Sequence, residues 1–157
     1  MTTTAHARPV RPAQRMNFTK AAPKVFKAMI ALDAAAAEGL DPALVGLVQI
    51  RASQLNHCAY CLDMHTREAR AAGESEERIH LLAAWEEAAL YTDKERAALT
   101  LTEAVTVLTD GFVPDAVYER AAHHFEEEEL AHLIALVLTI NAWNRIAVTT
   151  RKTPGTE

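Results

Sequence analysis

Apolar residues recur three and four positions apart through most of this chain, and the breaks between runs carry helix caps rather than strand turns. That period commits the chain to an all-α fold of about six to seven helices, because strands need a period of two. A first helix is predicted from Pro23 to Glu38, with Gly39 placed to end it. Asp41-Pro42 opens a second through Leu44, Leu47, Val48 and Ile50, ending near Asn56. The third begins at or just before Cys58 and ends by Gly73. Ser75 caps a fourth, with Glu76 and Glu77 in its electropositive first turn and the apolar run carried on through Ile79 and Leu82. Thr92-Asp-Lys-Glu95 fits a capping box and opens a fifth through Leu99, Leu101, Val105 and Leu108. Asp110-Gly111 breaks the chain, Pro114-Asp115 starts a short sixth helix to about His124, and the last runs from about Glu126 to Thr149.

With 157 residues, half of them hydrophobic, the chain reads as one domain with a real core. Residues 1–16 read as a flexible arm, 17–150 as the domain and 151–157 as a tail that frays. A net charge of −5 argues against nucleic-acid binding as the main task. The first 32 residues hold no acid but also lack the apolar core of a secretory signal. Leu130 to Val148 is interrupted by His132, Asn141, Asn144 and Arg145, so it reads as a buried helix rather than a membrane span. The expected location is cytoplasmic.

The two cysteines of the chain form one motif, Cys58-Ala-Tyr-Cys61, with His65 four residues on. On a helix, positions 58, 61 and 65 share a face. Two thiols able to close a small disulfide, beside an imidazole that moves a proton, are the minimum equipment for thiol redox chemistry. The helix N-terminus and His65 both lower a thiol's pKa; the histidine, one turn beyond Cys61, favours Cys61 as the thiol that attacks a peroxide and Cys58 as the one that resolves the sulfenic acid.

Other readings compete. CxxC plus His65 could supply three zinc ligands, but no fourth Cys or His lies at a finger-like spacing, and His57 points away from its neighbour on a helix. Two inert core thiols are a further alternative. His123-His124 before Glu126–Glu129 has the composition of a metal cluster, yet acids at a helix start explain the glutamates and the histidines read as surface. Asn141 and Asn144, in an apolar helix, are expected as buried amides bonded across helices. Neither a metal nor a cofactor is expected.

The block Arg51-Ala-Ser-Gln-Leu-Asn-His-Cys-Ala-Tyr-Cys-Leu-Asp-Met-His-Thr66 resembles the core of the alkylhydroperoxidase D-like branch of the carboxymuconolactone decarboxylase family. Ala84-Trp85, Tyr91 to Ala98, Thr102-Glu103-Ala104 and Ile140 to Arg145 extend the likeness over roughly residues 17 to 150. The resemblance implies an all-α fold of two-helix elements assembled as trimers or hexamers. It also implies hydroperoxide reduction through the CxxC, with the second cysteine attacking and a thiol or dihydrolipoyl protein as reductant. The family's proton relay adds a glutamate twelve residues before the first cysteine, and here that position is Gly46. His57, Tyr60 or a carboxylate from elsewhere would have to stand in. The competing expectation from the same motif is a non-catalytic redox sensor or partner-binding protein that uses the disulfide as a switch.

Overall fold

The computed structural model describes residues 12–156, so most of the arm, residues 1–11, lies outside it. Among the described residues the chain is helical without strands: α1 (Phe18–Ala21), α2 (Pro23–Ala36), α3 (Pro42–Leu55), α4 (Ala59–Ala71), α5 (Glu76–Leu81), a 3₁₀ turn (Leu82–Ala84), α6 (Asp93–Thr106), α7 (Asp115–His124) and α8 (Glu127–Thr150). Two of the helices depart from the sequence expectation. Asn17 accepts from the Lys20 N–H and caps a one-turn helix ahead of Pro23, too short to carry a hydrophobic period. The fourth helix is shorter than expected and tightens into the 3₁₀ turn before Trp85.

The caps predicted from sequence form. The Asp41 carboxylate accepts from the N–H groups of Ala43 and Leu44. Ser75 accepts from Arg78, and Thr92 and Glu95 exchange both bonds of the capping box at 3.2 and 2.8 Å. Gly39 adopts φ 76°, a left-handed conformation that suits glycine and ends the α2 segment.

Helix α3 is the centre, packed on α4, α6 and α8, while α2 lies along α8. One core joins Leu44, Val48, Leu101, Leu133, Leu136 and Val137; a second joins Leu47, Ile50, Ile79, Leu82, Trp85 and Leu99. Burying side chains of this size contributes about 1.5–3 kcal/mol each before entropy is charged. Helix α8, 24 residues long, is apolar enough to cross a membrane by length and composition, but its Leu133, Leu136, Val137 and Ile140 are buried against the other helices.

Polar side chains lock α3 to α8 just before the CxxC. The Asn56 amide donates to Asn141 Oδ1 and Asn144 Oδ1 at 3.0 and 2.9 Å, and Asn144 Nδ2 donates to Ser53 Oγ at 3.0 Å. Asn141 in turn donates to Thr106 Oγ1 on α6. These are the cross-helix amide bonds expected from Asn141 and Asn144. The segments flanking the helices are also held: the Arg15 N–H donates to the Thr150 carbonyl, and the Lys152 N–H to that of Ala147. Residues 152–154, expected to fray, are half-buried instead, because the left-handed Arg151 (φ 53°) turns them back on α8.

Candidate active site

The CxxC sits where α3 turns into α4. Helix α3 ends in a pair of reverse bonds, His57 N–H to the Gln54 carbonyl and Cys58 N–H to the Ser53 carbonyl, which require a left-handed residue between helix and cap. That residue is His57, at φ 53°. A side chain there costs roughly 1 kcal/mol against glycine. Cys58 is then the N-cap of α4, and its Sγ accepts from the Cys61 N–H at 3.3 Å. Cys58 and Cys61 are joined as a disulfide with Cα atoms 5.4 Å apart.

One turn along α4, His65 is 6 % exposed. Its Nδ1 lies 3.0 Å from Glu68 Oε2. Burial pushes the His65 pKa below the ordinary 6.5; Glu68, and more weakly Asp33 on α2, pull the other way. The imidazole is therefore neutral at neutral pH. Its Nδ1–H donates to the carboxylate, which leaves the Nε2 lone pair as the proton acceptor. Nε2 is buried and has no hydrogen-bond partner among the described residues.

Cys61 and His65 line a cavity of about 320 Å³ formed by α1, α2, α4, α8 and the tail. Its walls are largely apolar: Phe18, Phe26, Ile30, Met64 and Trp143, with the Phe26 and Trp143 rings edge to face at 5.6 Å. Polar residues line it as well, among them Gln14, Asn17, Asp33, Gln49, Glu68 and Lys152. Asp33 Oδ1 is the second buried side-chain atom without a partner among the described residues. A cavity with an apolar body and a few convergent polar groups is the usual form of a small-molecule site.

Cys58, Cys61 and His65 are thus brought together, and Tyr60 lines the same cavity beneath Lys152, whose Nζ sits 4.1 Å from the ring centroid. His57 is exposed and lines a different cavity with Cys58. Gly46 packs toward Ala69, with 3.8 Å between a built Cβ and the Ala69 Cβ, and lines a third cavity away from Cys61. Sequence reasoning missed Glu68 and Asp33. The i,i+3 spacing of His65 and Glu68 was available as a signal; Asp33, on another helix, had none. Among the described residues no three His, Cys, Asp or Glu side chains gather as a metal-ligand group.

The sequence pattern of the carboxymuconolactone decarboxylase family matches residues 23–104. An uncharacterized Bacillus subtilis protein, YdfG, is 39% identical over 137 residues, covering 87% of this chain and 93% of its own length. A crystal structure from Agrobacterium tumefaciens, of a protein of unknown function with a proposed antioxidant defence role as AhpD, is 40% identical; it superposes with a TM-score of 0.88 over 92% of this chain and all of its own. The debrominase Bmp8, 16% identical, has a TM-score of 0.77 over 88% of this chain and 75% of its own, a likeness of fold alone. A helical frame of this kind that carries a CxxC and a buried histidine on one helix, with relatives matched over nearly their whole length, places the chain in the carboxymuconolactone decarboxylase family, in its AhpD-like branch.

Proposed function

We propose that the protein is a thiol peroxidase that reduces hydroperoxides through a Cys58–Cys61 redox cycle. The observation that carries this reading is that Cys61 and His65, whose buried Nε2 has no hydrogen-bond partner among the described residues, line one largely apolar cavity. In the reduced protein His65 Nε2 takes the Cys61 thiol proton. The thiolate attacks the terminal peroxide oxygen, the O–O bond breaks, and the departing alkoxide recovers the proton from Nε2. Cys61 is left as a sulfenic acid. Cys58 attacks its sulfur, a disulfide forms and water leaves. A dithiol reductant returns both thiols.

Glu68 takes the place of the relay glutamate missing at Gly46: it holds the His65 tautomer from one turn along α4. Asp33, across the cavity, offers its free oxygen to the hydroperoxide O–H or to a water. The apolar walls favour an organic hydroperoxide over hydrogen peroxide. Steady-state peroxide consumption with excess dithiol tests the reading. Multiple turnovers, faster with an aryl or alkyl hydroperoxide than with hydrogen peroxide, are expected, and stoichiometric oxidation without turnover would favour the sensor reading that Gly46 keeps open.

The working form is proposed as a homo-oligomer in a reducing, cytoplasmic setting. Apolar side chains stand uncovered on α2 and α8, with Val25, Ile30 and Leu32 about half exposed and Leu138 57 % exposed.

A further inference from the structure

The two buried cysteines of the disulfide line different cavities. Cys61 lines the one that holds His65, while Cys58 lines a second of about 450 Å³, together with His57, Ala59, Val148 and Arg151. Tyr60, Ala147 and Lys152 line both and form the wall between them. The Lys152 ammonium sits on the Tyr60 ring, and the Lys152 N–H bonds the Ala147 carbonyl, so the wall is tied to α8. Among the described residues no acidic side chain lines the second cavity, although the chain carries a net charge of −5.

We propose that the reductant enters by this second cavity, that His57 accepts the proton of the incoming thiol, and that the thiolate attacks Cys58. The inference rests on the redox cycle above, and it adds a site and a residue that the peroxide step does not use. The chemistry selects Cys58. Cys58 shares the second cavity with His57, and attack on its Sγ breaks the disulfide and expels Cys61 as a thiolate on the side lined by His65. The product is a mixed disulfide between the reductant and Cys58. The second thiol of a dithiol reductant, its proton passing through solvent to the Cys61 thiolate, then attacks the reductant's own bonded sulfur, closes the reductant's disulfide and releases Cys58. The departing Cys58 thiolate is stabilised by the Cys61 N–H and recovers the proton held on His57. Two electrons and two protons pass to the protein, and the reductant leaves as its disulfide.

His57 fits this role for a reason visible in the backbone. Its left-handed position is one that glycine occupies without strain, yet it carries an imidazole, exposed, at the mouth beside Cys58. The cationic lining of Arg151 and Lys152 points to a dithiol on an anionic carrier.

The test separates the half-reactions. Reduction of the disulfide by dihydrolipoate is followed anaerobically by thiol titration, and oxidation of the reduced protein by an alkyl hydroperoxide is followed in the same way. His57→Gly removes the imidazole while relieving the backbone, so loss of folding does not confound it. It is expected to slow reduction at least about tenfold while oxidation stays within about twofold. Val148→Trp, which fills the second cavity, is expected to do the same. Dihydrolipoate should outpace neutral dihydrolipoamide, and an acid-quenched monothiol adduct should map to Cys58. An adduct on Cys61, or unchanged reduction in both variants, overturns the proposal. Failure of the wild-type protein to be oxidised by hydroperoxide would instead refute the peroxidase reading, independently of the reduction data.

Discussion

Glu68 Oε2 lies 3.0 Å from His65 Nδ1, and this i,i+3 pair places the carboxylate that orients the histidine on the histidine's own helix. Glu68→Gln should lower the His65 pKa further, because the main force opposing burial is removed. It should also reduce kcat/KM for hydroperoxide by about tenfold or more, since the tautomer is no longer dictated. Gly46→Glu should change activity little: its Cβ has room beside Ala69, but Nδ1 is already occupied. Imidazole shifts by NMR and steady-state rates for both variants check this. A large gain in Gly46→Glu with no loss in Glu68→Gln would refute the assignment.

Stability should depend on pH through His65. A histidine whose folded pKa lies below its ordinary 6.5 binds a proton more weakly when folded, so protonation favours unfolding. Stability is therefore intact above about 6.5 and declines as pH falls from there toward the depressed folded pKa, by at most about 1.4 kcal/mol per pH unit. Denaturant titrations of wild type and His65→Gln at pH 7.5, 6.5 and 5.5 measure it. The slope between the latter two values should flatten in the variant.

The cysteines should divide the work. In reduced Cys58→Ser, peroxide is expected to leave a trappable sulfenic acid on Cys61, and His65→Ala in that background should slow its formation by about 10²-fold or more. In Cys61→Ser, Cys58 should react far more slowly, although the α4 N-terminus donates to its sulfur. A faster Cys58 would mean that the helix cap outweighs the histidine in setting thiolate character.

Asn144→Ala should destabilise the fold by about 1–3 kcal/mol, because it strips the Ser53 hydroxyl and the Asn56 amide of a buried partner. Peroxidase activity should fall as well, since Ser53 and Asn56 belong to the turn that carries Cys58. Thermal melts and kinetics on the same sample test both. A neutral melt would show that water replaces the amide.

Light scattering should return an oligomer at micromolar concentration rather than the 17.2 kDa monomer. The half-exposed apolar residues of α2 and α8 motivate this, and Ile30→Glu or Leu138→Glu should dissociate it if those faces are the contacts.

What was legible in the sequence was local. Caps at Asp41, Ser75 and Thr92, the breaks at Gly39 and Gly73, and the three- and four-residue apolar spacing all act within one or two turns, so the chain alone specifies the helices. The Cys58, Cys61 and His65 triplet was legible for the same reason, as three positions on one helical face. One-turn α1 was not, since four residues cannot display a period. Only the tertiary structure decided that Asp33 of α2 lines the cavity of Cys61 and His65, and that Gly46 faces Ala69 rather than that cavity. It alone separated His57 from His65 into two cavities. Spacing along a chain defines directions around one helix axis, whereas shared cavities depend on how α2, α4 and α8 pack, and that is settled by burial summed over all three.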